Sequence, residues 1–176
     1  MDDSYKTIPD QDKFISILHQ NKATNGNKKI DEWSHLILNF FQSVDNSIQL
    51  ELYLEKICVQ LEKDYSSSCL LPLEFFQNTQ IFNFIIEFLT RSLGNNDSHS
   101  TKALTLIEFF LSYLPQSLDI FISLNFLQIV AEFFATNIFS ASFKRVQVFY
   151  NIFAIFEAIL KYSNETNFNI FFQFFI

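Results

Sequence analysis

A chain of 176 residues with 24 phenylalanines but only two glycines and three prolines can bury a large apolar core, and has too few turn formers for a protein of many short strands. Its formal charge of −7, with basic residues clustered at Lys22, Lys28 and Lys29 within a polar linker, argues against a cationic nucleic-acid-binding surface. No uncharged run exceeds 12 residues, the length of Ile120 to Ala131, which is short of the roughly 18 to 20 apolar residues a membrane span requires, so no transmembrane segment is predicted.

The first 29 residues form a polar segment. The opening MDDSYKTIPDQD has neither the basic start nor the apolar centre of a secretory signal. A cytoplasmic chain is therefore expected, with the nucleus as the alternative and with Cys58 and Cys69 as reduced thiols. One short amphipathic helix is predicted from Asp10 to Gln20, with Phe14, Ile17 and Leu18 on one face; it reads as a cap on the first packed helices or as a docking motif. The NKATNGNKK stretch after it is a loop.

From residue 30 to residue 176 the pattern is helical. Trp33, Leu36, Ile37, Phe40 and Phe41 share one face of a first helix, and Leu50, Leu54, Ile57, Cys58 and Leu61 one face of a second. Asp64 to Ser68 reads as the exit loop. Pro72 opens a short helix, Leu73 to about Gln77, and Thr79 is the expected N-cap of the next, whose face is Ile81, Phe84, Ile85, Phe88 and Leu89. Gly94 is a stop signal. A long helix from about Thr101 then buries Leu104, Ile107, Phe110, Leu111 and Leu114. Ser117 is the expected cap of another short helix, followed by helices over about Asn125 to Thr136 and Phe143 to Tyr162.

That order of short, longer and long helix occurs twice, and the letters carry a trace of it. Glu74 to Leu89 and Asp119 to Phe134, 45 residues apart, agree in apolar or polar class at 14 of 16 positions without a gap. LTLIEFFLSY from Leu104 overlays FAIFEAILKY from Phe153, placing Glu108 on Glu157 and Tyr113 on Tyr162. Weaker copies, LILNFF from Leu36 and IFFQFF from Ile170, keep spacings of 48 and 41 residues. A helical chain with such a period indicates stacked units that bury one another's apolar stripes.

The three-helix unit and its period resemble the armadillo repeat, with the HEAT repeat as the close alternative. The resemblance implies an all-α, right-handed α-solenoid of about three units plus a partial C-terminal one, with the third helices lining a concave surface for a partner. Armadillo units usually carry a glycine between the short helix and the next, where this chain has Thr79 and Leu124. The C-terminal FNIFFQFFI is apolar on every side and matches a second helix with no third to cover it. The chain is accordingly expected to be a fragment or truncated product of a longer solenoid, or else Phe168 to Ile176 is expected to dock on another chain or on a second copy.

No catalytic, metal or cofactor pattern is present. His19, His35 and His99 form no HxxxH pair, and two glycines cannot build a phosphate-binding loop. The repeated acids Glu87/Glu132 and Glu108/Glu157 read as solvated helix edges. The expected function is a non-enzymatic interaction scaffold or adaptor for a protein or peptide. A trafficking adaptor resembling the VHS and ENTH superhelices, binding cargo peptide or lipid, is the alternative. The candidate partner-binding residues are the polar outer line of the third helices: Tyr53, Lys56, Gln60, Lys102, Thr105, Gln147, Asn151 and Lys161. Asn151 is singled out because an amide both donates to and accepts from a peptide backbone.

Overall fold

The computed structural model describes residues 28–43, 46–95, 97–137 and 145–163, together with Asn167, Asn169 to Phe171 and Gln173. The predicted helix from Asp10 to Gln20 lies outside these residues. All regular structure among the described residues is helical, as expected. The helices are α1 (Lys28–Gln42), α2 (Ser47–Ser66), α3 (Leu73–Asn78), α4 (Ile81–Ser92), α5 (Asp97–Tyr113), α6 (Ser117–Ser123), α7 (Phe126–Asn137) and α8 (Val146–Tyr162).

Each long helix buries the stripe its periodicity marks. Trp33, Ile37 and Phe40 of α1, Leu50, Leu54, Ile57 and Leu61 of α2, and Leu104, Ile107, Phe110 and Leu111 of α5 are all buried. Local chemistry sets the ends. The Asn46 side chain accepts from the Gln49 amide at 3.2 Å and starts α2, Pro72 precedes α3, and Gly94, at φ +81°, follows the end of α4. Nothing lies within 4 Å of where a Gly94 side chain would begin, so the positive φ alone favours glycine there.

Helix α5 is the hub. It packs against α2 on one side and α8 on the other, and against α4 beneath, so that α2, α5 and α8 form a row. A second set of contacts runs through aromatic rings. Trp33 of α1 meets Phe76 of α3 edge to face at 5.0 Å, and Phe76 meets Phe110 of α5 at 5.5 Å. Phe110 meets Phe82 of α4 at 5.0 Å, and Phe82 meets Phe121 of α6 at 5.2 Å. Burying each ring is worth about 1.5 to 3 kcal/mol, and each edge contact roughly 0.5 to 1.5 more. This continuous aromatic chain couples helices far apart in sequence, which no single helix could do with its own stripe.

The 45-residue repeat reappears in the turn between short and second helix. Thr79 N–H donates to the Phe75 carbonyl and Gln80 N–H to that of Gln77; Leu124 donates to Ile120 and Asn125 to Ile122 in the same way. Gln80 and Asn125 both adopt left-handed backbone, φ +57° and +61°. The left-handed residue therefore falls one position after Thr79 and Leu124 in both turns, and is supplied by residues with side chains. Thr79 does not N-cap α4; it ends α3, and its hydroxyl donates to the Phe76 carbonyl at 2.7 Å. Ser117 is the first helical residue of α6 rather than its cap.

Two other boundaries differ from expectation. α2 runs to Ser66, through the predicted exit loop, because Asp64 is drawn inward as a buried acceptor. At 2% exposed it takes the Trp33 indole N–H at 2.7 Å, Gln60 Nε2 at 2.9 Å and Lys29 Nζ at 2.9 Å. α5 starts at Asp97, four residues before the predicted Thr101, with the Ser100 hydroxyl buried against that of Ser92 at 3.2 Å. In the C-terminal stretch, Asn167 donates to Asp119 at 2.7 Å and the Phe171 ring packs on Phe156 at 5.1 Å. Phe171, which belongs to the predicted docking tail, thus contacts its own chain. Phe168, Phe172 and residues 174–176 lie outside the described residues.

Among the described residues no single helix is long and apolar enough to cross a membrane. α6 and α7 reach that length only together, and they are bent by 60° at their junction.

Candidate functional site

The row of α2, α5 and α8 leaves a groove between α2 and α5 of about 300 Å³. Leu54, Glu55, Cys58, Val59 and Glu62 line it from α2, and Thr101, Lys102, Thr105 and Phe109 from α5. Lys102 is drawn to one wall, where its ammonium lies 2.8 Å from Glu51 and holds that carboxyl below the ordinary carboxylate range. Burial, followed by the nearby Glu55 charge, pushes the Cys58 thiol up to about 12. The thiol stays protonated at neutral pH and forms part of the apolar floor.

Between α5 and α8 the polar side chains bind one another. Asn151, 6% exposed, donates to Thr105 Oγ1 at 3.0 Å and accepts from Gln147 Nε2 at 2.9 Å. Further along, Glu108 is half-buried on α5 and Glu157 exposed on α8. Burial, and then the Glu157 charge, raise the Glu108 carboxyl above the ordinary range. The two acids that overlay in the sequence repeat thus act on one another electrostatically between α5 and α8.

The sequence-predicted residues divide into three groups. Lys102 and Thr105 line the groove, and Thr105, Gln147 and Asn151 are brought together. Asn151 is not an open amide awaiting a peptide: both ends of its side chain are engaged and it is buried, so it acts as an interhelical tie. Tyr53, Lys56 and Gln60 do not line the groove. Gln60 donates to Asp64, which receives Trp33 of α1, and the Lys56 ammonium lies 4.6 Å over the Tyr53 ring. This line is turned roughly 100° around α2 from the groove-lining Glu55, Val59 and Glu62. Lys161 sits at the end of α8 over the Tyr162 ring, 5.1 Å from its centre, apart from the rest.

What a polar outer line leaves out is apolar. Among the described residues every strongly exposed large apolar side chain lies on α2 or α8: Ile48, Leu52, Val59 and Tyr65 on α2, Val146, Tyr150, Phe153 and Leu160 on α8. Tyr150 is 68% exposed, Phe153 58% and Val59 57%. Ile48, Leu52 and Val59, like Val146, Tyr150 and Phe153, recur at spacings of three, four and seven residues on the side opposite each helix's buried stripe. That spacing is the signal in the sequence that could have found them.

Among the described residues no group of three His, Cys, Asp or Glu side chains is placed to hold a metal ion. No protein-family model matches the chain, and no curated protein or solved structure matches it.

Proposed function

We propose that the chain is a non-enzymatic interaction scaffold, an α-solenoid of armadillo-like three-helix units that holds a protein partner on the face made by α2, α5 and α8. The observation that carries this reading is the distribution of exposed apolar side chains. Scattered singly they would mean nothing. Their confinement to α2 and α8, flanking a groove against α5, is the pattern of a surface awaiting a cover. The shared turn at Gln80 and Asn125 supports the repeat half of the reading.

The test is to replace Val59 and Tyr150 by Asp in the full chain, in its native cells, and to measure by size exclusion the mass at which the chain elutes. Both positions are exposed, so the thermal midpoint should stay within a few degrees of wild type. The wild-type chain should elute in a complex and the V59D/Y150D chain should not. A complex of unchanged mass with the double variant would refute the assignment of this face.

A further inference from the structure

Resting on that reading, we infer that what docks on the α2/α5/α8 face is a cationic amphipathic helix of a partner protein: an apolar stripe for Val59, Phe109 and Tyr150, with Lys or Arg along its margins for the acids of the face. Two sets of observations select this occupant.

The first is charge. Glu55 and Glu62 line the groove from α2 beside Val59, Glu108 lies half-buried on α5 and Glu157 exposed on α8, and among the described residues none of the four takes part in a salt bridge. Lys102, the one cation among the described residues lining the groove, is already paired with Glu51. A cation brought to Glu108 would offset the Glu157 charge that acts on it. An acidic partner would add to it.

The second is hydrogen bonding. An extended peptide brings unpaired backbone N–H and C=O groups that a groove must satisfy, and amide side chains are the usual means. Here Asn151 is spent on Thr105 and Gln147, and the Thr101 hydroxyl donates to the Asp97 carbonyl at 2.8 Å. A helix satisfies its own backbone, and needs from the surface only apolar contact and opposite charge.

The probe is a synthetic leucine/lysine peptide of roughly 18 residues, five helical turns, with leucines at helical spacing. Its controls are the same pattern with glutamate for lysine, and the leucine/lysine peptide with two central leucines replaced by proline. Binding is read by calorimetry and its location by photo-crosslinking. The helical cationic peptide should bind and crosslink to α2, α5 and α8. E108K/E157K should weaken it by about tenfold or more, while E74K/E132K, reversing exposed acids on α3 and α7, should change it by less than about twofold. If the proline peptide binds this face as well as the helical one, the helix inference falls and the docking surface stands. If the glutamate peptide binds equally, or E74K/E132K costs as much as E108K/E157K, the inference falls outright. Size exclusion of V59D/Y150D then judges the docking surface separately.

Discussion

Replacing Asp64 by alanine should be among the costliest single changes in the chain, although it removes only a few atoms. The carboxylate is 2% exposed and accepts from three side chains: Trp33, Gln60 and Lys29. Without it the buried indole N–H has no acceptor, which costs about 1 to 3 kcal/mol. Breaking a buried ion pair costs roughly 3 to 5 kcal/mol. Here that is reduced, because the Lys29 side chain is 21% exposed and its ammonium keeps the Cys69 carbonyl at 2.6 Å. The sum is about 3 to 4 kcal/mol, or a fall of roughly 10 °C in thermal midpoint for a chain of this size. Asp64→Asn should recover little, since its amide must point a donor at Trp33 or at Lys29 and Gln60. The assay is urea unfolding followed by far-ultraviolet circular dichroism, run as a cycle with Trp33→Phe. In the Trp33→Phe background Asp64→Ala should cost about 1 to 2 kcal/mol less, the share of the indole bond. Strict additivity, or a cost for Asp64→Ala below about 0.5 kcal/mol, would refute the buried network.

Gln80→Gly should stabilise by about 1 kcal/mol in urea titration, because a non-glycine residue is held at φ +57° there; Asn125→Gly should gain less, since Asn tolerates that region. Thr105→Val should cost about 1 to 2 kcal/mol by leaving the Asn151 amide buried without its acceptor, and adding Asn151→Leu should return most of the loss. Glu108→Gln should gain under about 1 kcal/mol at neutral pH, the range for partly exposed charges. The sign follows from the raised carboxyl: wild-type stability from this group is full below the unfolded value near 4.5 and is lost as pH rises through the folded one, so the Gln gain should vanish in acid. Unfolding curves for both proteins across that pH range check it.

The helices are legible in the sequence because Phe, Ile and Leu recur at helical spacing, and the stripes from Leu50 to Leu61 and Leu104 to Leu114 are buried as that spacing implies. The start of α5 is not legible, since its first turn is Asp97, Ser98, His99 and Ser100, polar residues with no apolar beat, one of them buried by a hydroxyl contact with Ser92. Asp64 resembles a loop residue because sequence spacing does not reveal that Trp33 needs an acceptor 31 residues away. On α2 periodicity identifies the buried stripe but not which flank meets α5. Tyr53, Lys56 and Gln60, being polar, imitate an open face, while Val59 lines the groove and Ile48 and Leu52 continue its exposed apolar row. Asn151 has the chemistry of a peptide ligand, yet its partner is a threonine 46 residues earlier, a distance that spacing along one helix does not bridge.

Whether the α2/α5/α8 face is covered in the cell decides the proposed function. Photo-reactive phenylalanine analogues placed singly at Tyr150 and Val59, and at Asn83 of α4 and Gln128 of α7, measure that directly, because all four side chains are exposed. Crosslinks to one and the same protein from Tyr150 and Val59, with none from Asn83 or Gln128, are the predicted result. Crosslinks from Asn83 or Gln128 alone, or equally from all four, would contradict it.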